Sequence, residues 1–105
     1  MLVSMQAPSS GGGGTELNPT ATYTLLNASG TNTWTIDTSK HYIFVSMHQT
    51  TGVKGYCGYI SGGVLTELFN DTSYITIQMQ NNGTTLYVKN NSTSVKLGTM
   101  LVQLD

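Results

Sequence analysis

Few side chains in this chain could ionise, attack or ligate. The acids are Glu16, Asp37, Glu67, Asp71 and Asp105, the histidines are His41 and His48, and the one thiol is Cys57. Paired-carboxylate chemistry needs two acids that converge on one bond. Asp37 and Asp71 sit instead where Asx residues close turns, which accounts for them without catalysis. His41 and His48 fall on one strand-like run seven residues apart, so a regular strand puts them on opposite faces. They cannot share a metal ion within one chain, although one histidine from each chain of a trimer could meet on the axis. Cys57 reads as a small half-buried hydrophobe. As a nucleophile it would need His41 or His48 beside it as base. Ser-His-Asp, zinc and phosphate-loop signatures are missing, and the Gly11 to Gly14 run lacks the Lys-Ser/Thr of a phosphate loop. The expectation is a protein that is not an enzyme, with no catalytic residues, no metal ligands and no cofactor.

The aromatics are the remaining candidates. Trp34, Tyr42 and Tyr74 fit core packing and cross-strand pairs. Tyr56 and Tyr59 lie in Lys54-Gly-Tyr-Cys-Gly-Tyr-Ile60, whose small neighbours would leave their rings exposed. An exposed tyrosine among Asn, Gln and Thr can stack on a sugar ring and bond its hydroxyls, so Tyr56 and Tyr59 are the predicted ligand-binding residues.

Composition narrows the partners. The chain has 105 residues, the size of one domain. Only 9% are charged, against about 25% in an ordinary protein. Arg is absent, and Lys40, Lys54, Lys89 and Lys96 are scattered, so there is no basic stripe for nucleic acid or an anionic membrane surface. No apolar run reaches the roughly 20 residues that span a bilayer. Met1 to Met5 has neither the basic region nor the apolar length of a secretory signal. With 38% hydrophobic residues and a net charge of −1, the chain is expected to fold. The lone cysteine rules out an intramolecular disulfide. Five Asn-x-Ser/Thr triplets, such as Asn27-Ala-Ser29, suit an Asn- and Thr-rich chain and are not read as glycosylated.

Two parts are distinguishable. Residues 1–19, with Ala7-Pro-Ser-Ser10 before four glycines, predict a flexible Gly/Ser-rich leader. Residues 20–105 predict an all-β domain, a small jelly-roll-like or meander β-sandwich of about eight antiparallel strands. The expected strands are 20–26, 33–37, 40–48, 54–60, 64–69, 72–80, 84–89 and 93–104. Trp34 and Ile36 share a face, as do Ile75, Ile77 and Met79, and Leu86 and Val88. Tyr42 to Val45 is apolar on both faces, the mark of a doubly covered central strand. Ser61-Gly62-Gly63 and Asn82-Gly83 predict hairpin turns. Val64 to Phe69 is the one stretch with some helix propensity, and it is too short to stand alone. In the last strand the apolar parity changes at Gly98. A one-residue bulge there would bring Val95, Leu97, Met100, Val102 and Leu104 to one face and turn Leu101 outward. Leu101 and the back of the 40–48 strand are therefore the predicted contacts between subunits.

The texture of residues 20–104 resembles the small terminal domains of bacteriophage and prophage virion surface proteins, including tail-fibre, receptor-binding and capsid-fibre domains. The residues behind this are the "APSSGGGG" leader, the "NNGTTLYVKNNS" hairpin, the Thr/Asn/Gly surface and the "GTMLVQLD" ending. The resemblance implies a virion structural or adhesion protein, made in the bacterial cytoplasm and carried on the particle surface. It also implies a homo-oligomer, with a trimer favoured, that binds host-surface glycans or anchors to the particle. The alternative is a monomeric carbohydrate-binding module.

Overall fold

The computed structural model describes residues 19–48 and 54–105. The predicted leader and the break at Thr50-Thr-Gly52 lie outside the described residues, apart from Pro19. Eight strands follow in order: β1 (Thr20–Leu26), β2 (Thr31–Thr35), β3 (His41–His48), β4 (Gly55–Ser61), β5 (Val64–Asn70), β6 (Ile75–Gln80), β7 (Thr85–Asn90) and β8 (Leu97–Gln103). All pairings are antiparallel. One sheet has the order β1-β8-β3-β4-β5 and the other β2-β7-β6. No helix occurs among the described residues.

The topology combines both predicted forms. β1 with β8 and β2 with β7 are nested pairs, as in the outer wrap of a jelly roll. The wrap stops there, because β3 continues into the meander β3-β4-β5. The two inner faces meet in one core. Trp34, Leu86 and Val88 from the smaller sheet pack on Tyr42, Phe44, Tyr56, Ile60, Leu97 and Leu101 from the larger. The Trp34 and Phe44 rings meet edge to face, with centroids 5.5 Å apart. Ile75, Ile77 and Met79 border this core as expected, half-buried.

The turns follow backbone chemistry. Gly62 and Gly63, both at positive φ, form the two-residue loop of the β4-β5 hairpin. The β6-β7 loop places Asn81, Asn82 and Gly83 all at positive φ, at 54°, 57° and 83°. Two overlapping turns result, with the Gly83 N–H on the Gln80 carbonyl and the Thr84 N–H on the Asn81 carbonyl. The predicted Asn82-Gly83 turn is the second of them.

Three expectations are corrected. There is no bulge at Gly98: the register of β8 with both β1 and β3 runs unbroken through it. Leu97, Thr99 and Leu101 share the inward face. Thr99 is tolerated there because its hydroxyl donates to the Thr24 carbonyl at 2.6 Å. The register shift in the sheet lies instead between Cys57 and Gly58, with Leu68 of β5 as the extra residue. Second, β6 and β8 begin late. The Ser92 hydroxyl accepts from the Ser94 and Val95 N–H groups, and Asn70 and Thr72 side chains take those of Thr72 and Tyr74. These local bonds remove amides that a ladder would need. Third, the described residues cover only one side of β3, and Ile43 and Val45 on the other side are half-buried.

Candidate functional site

Two features stand out: the outer face of the five-stranded sheet, and a cleft at the end of the sandwich where β3 stops.

The outer face is set by strand parity. β3 contributes Ile43, Val45 and Met47, which pair with Val102, Met100 and Gly98 of β8. On the other flank they face Tyr59, Cys57 and Gly55 of β4. Tyr23 and Leu25 of β1 and Phe69 of β5 extend the surface to both edges. Tyr23, Leu25, Met47 and Phe69 are exposed. Gly98 leaves a depression of about 310 Å³ between Tyr23, Val45, Met47 and Met100. A Cβ at Gly98 would stand 3.2 Å from the Tyr23 hydroxyl. Charge enters this face at its rim. There Asp105 bonds His41 twice, through the backbone N–H at 2.9 Å and the ring Nδ1 at 2.8 Å. These bonds hold the Asp105 carboxyl below its ordinary range. The His41 ring stacks on Tyr59 at 6.3 Å.

The predicted site residues separate. Tyr56 is 3% exposed and belongs to the core, not to a ligand site. Its ring tilts against Phe44, and burial, with the Glu67 carboxylate adding to it, pushes the phenol up to about 12. Tyr59 is half-buried on the outer face. The two tyrosines are three residues apart, an odd spacing that puts them on opposite faces. The alternation itself could have shown this. Leu101 is 6% exposed and points into the core, so it is not a subunit contact. Trp34 and Tyr42 are in the core as expected, whereas Tyr74 is 52% exposed.

His41 and His48 do face opposite ways. Cys57 is half-buried on the outer face. It lies opposite Val45, and His41 lies four residues further along β3, about 13 Å at the rise of a strand. His48 is on the other side of the sheet, so the structure brings no histidine to the thiol. Among the described residues, no group of three His, Cys, Asp or Glu side chains is placed to hold a metal ion.

The end cleft, about 390 Å³, was not foreseen. His48 and Lys54 line one side, Tyr74 another, and the 91–95 segment joining β7 to β8 the third. Its residues come from the end of β3, the residue before β4, the segment before β6 and the β7-β8 connection, so no local spacing announces it. The Tyr74 ring stands perpendicular to that of His48 at 5.5 Å.

The fold and these surfaces define a small β-sandwich with one apolar face that no described residue covers. Comparison with known protein families, curated proteins and solved structures gives no match.

Proposed function

We propose that the chain is a non-enzymatic structural and adhesion module of a phage particle. In this reading it is a homotrimer whose subunits bury the outer face of the five-stranded sheet against one another. The uncovered apolar face carries the reading. Monomers seldom expose contiguous apolar patches beyond a few hundred Å². Five strands about 4.8 Å apart and seven residues long give a face of about 24 by 23 Å, so two apposed faces bury on the order of 1,000 Å², enough for a specific interface. Three such faces set as a prism stand about 7 Å from a common axis, and side chains that span half the roughly 10 Å gap between packed sheets cover about 5 Å of that distance. β3 is the middle strand, so Ile43, Val45 and Met47 point at that axis. The depression over Gly98 and the exposed Phe69 lie on opposite flanks of β4, where one copy's ring can fill the next copy's hollow. The particle setting and the trimeric order rest on the sequence texture. A weakly charged Thr/Asn surface suits a module that meets its neighbours through packing rather than through salt-sensitive attraction.

Light scattering on the full chain tests this. The expected result is three chain masses, falling to one in Val45→Glu and Met100→Glu with an unchanged far-UV circular dichroism spectrum. A wild-type chain that scatters as a single copy at every concentration overturns the reading.

A further inference from the structure

We infer that the end cleft between His48, Tyr74 and the 91–95 segment is a saccharide-binding site. This goes beyond the assembly reading and uses other residues.

The cleft is built rather than incidental. Asn90, directly before the lining segment, is fully buried, and its Nδ2 donates to the carbonyls of Leu26, Asn27 and Val95 at 3.4, 3.1 and 2.7 Å. Its Oδ1 accepts the Ser92 N–H at 3.0 Å, and the Ser92 hydroxyl then takes the N–H groups of Ser94 and Val95. One buried amide therefore fixes the wall that faces the ligand. Tyr74 is held as firmly: its carbonyl accepts the Asn91 N–H at 2.8 Å and its N–H bonds the Thr72 hydroxyl at 3.1 Å. The backbone that carries this half-exposed ring is thus fixed, and the ring itself rests edge-on against His48, which lowers the entropic cost of binding.

The polar groups point to the ligand class. His48 is 5% exposed, with Nδ1 3.4 Å from the Thr72 hydroxyl and Nε2 without a partner among the described residues. A buried ring nitrogen left unpaired is costly unless something supplies the bond. A volume of about 390 Å³ lies within the range of small-ligand sites, at about 300–1,000 Å³. A saccharide offers both an apolar C–H face for the Tyr74 ring and a rim of hydroxyls for the polar side chains of the 91–95 segment. Lys54 is the one charged side chain among the described lining residues, so a sugar carboxylate is accommodated at that side. A polyanion would find too little charge here.

The full chain is applied to an array of immobilised neutral and uronic-acid-bearing oligosaccharides, and the same array is read with Tyr74→Ala, Tyr74→Phe and Lys54→Met. Wild type is expected to bind a subset. Tyr74→Ala is expected to lose about tenfold in affinity with its melting temperature preserved, and Tyr74→Phe to keep most of it. Lys54→Met is expected to weaken the uronic-acid ligands selectively. No binding by wild type to any glycan, or equal binding by Tyr74→Ala, overturns the inference. A wild-type chain that is monomeric yet binds through Tyr74 leaves this site standing and removes only the trimer.

Discussion

The two faces of the five-stranded sheet are made by alternate residues of the same strands, and they meet different surroundings. On β3, Tyr42 and Phe44 point inward and are buried, while Ile43 and Val45 point outward and are half-buried. On β4 the same division sets Tyr56 and Ile60 against Cys57 and Tyr59. Both faces are apolar in sequence, yet among the described residues only three strands supply cover, and these all go to one side. Apolar character is therefore a request for burial that the described residues meet on one face. The second face is the one the proposed assembly would cover.

The sharpest way to break this contrast is at matched positions. Phe44 is fully buried between Trp34 and Tyr56. Phe44→Ala should cost about 3–5 kcal/mol in chemical denaturation, the range for a core aromatic. Its neighbour Val45 fills no closed space among the described residues, so Val45→Ala in the single chain should cost about 1 kcal/mol or less. Equal losses at the two positions would mean that the outer face already packs against something within the chain.

The turn at the far end of the sheets offers a second matched pair. A Cβ at Gly83 would stand 2.6 Å from the Gly63 carbonyl oxygen and 2.7 Å from its Cα, both backbone atoms that cannot swing aside. A Cβ at Gly62 meets nothing within 4 Å, although its φ is also positive, at 60°. Gly62→Ala should cost only the left-handed backbone penalty, about 1–2 kcal/mol. Gly83→Ala adds a clash that separates the β4-β5 and β6-β7 loops, and its melting temperature should fall further than that of Gly62→Ala.

Strand number, the hairpin at Gly62-Gly63 and the inward residues of β2, β6 and β7 were legible because alternation and turn chemistry are local. The errors arose where a polar residue took a core position or a side chain took a strand's amide. Thr99 sits in the core on a single bond to Thr24, so the apolar parity after Gly98 suggested a bulge that is not needed. Ser92 and Thr72 bond the amides after them, which shortened β8 and β6 and left Tyr74 outside. The pairing of sheets was not legible at all, since nothing local distinguishes β3 continuing into β4 from β3 wrapping back to β6. The end cleft depends on that pairing, because His48, Tyr74 and Ser92 come together only through it.

A smaller effect sharpens the inner side of the comparison. Ser46 lies opposite Thr99 on the inward face, 2% exposed, and its hydroxyl has no partner among the described residues. Removing an unsatisfied buried hydroxyl relieves its desolvation cost, so Ser46→Ala should stabilise the chain by about 1 kcal/mol. Thr99→Val is the contrasting change. It deletes the hydroxyl that donates to the Thr24 carbonyl, so it should destabilise despite adding a methyl.

The smallest expected effect lies at the rim, where the two faces meet solvent. Bonds from His41 hold Asp105 below its ordinary value, and bonds from the Ser39 hydroxyl and N–H do the same for Asp37. A carboxyl whose folded value is depressed binds fewer protons in the folded state than in the unfolded one. Its contribution is complete above the ordinary carboxylate range near pH 4 and is lost as pH falls through the depressed value. Stability should therefore fall on the acid side, below about pH 4, and the acid limb should be shallower in Asp105→Asn. Both carboxylates are exposed to solvent screening, so the change should be a small shift in melting temperature. The contrast with the outer face is again informative. If a partner covers that face and shields the His41–Asp105 pair, the acid limb of the wild type should steepen with protein concentration, while that of Val45→Glu should not.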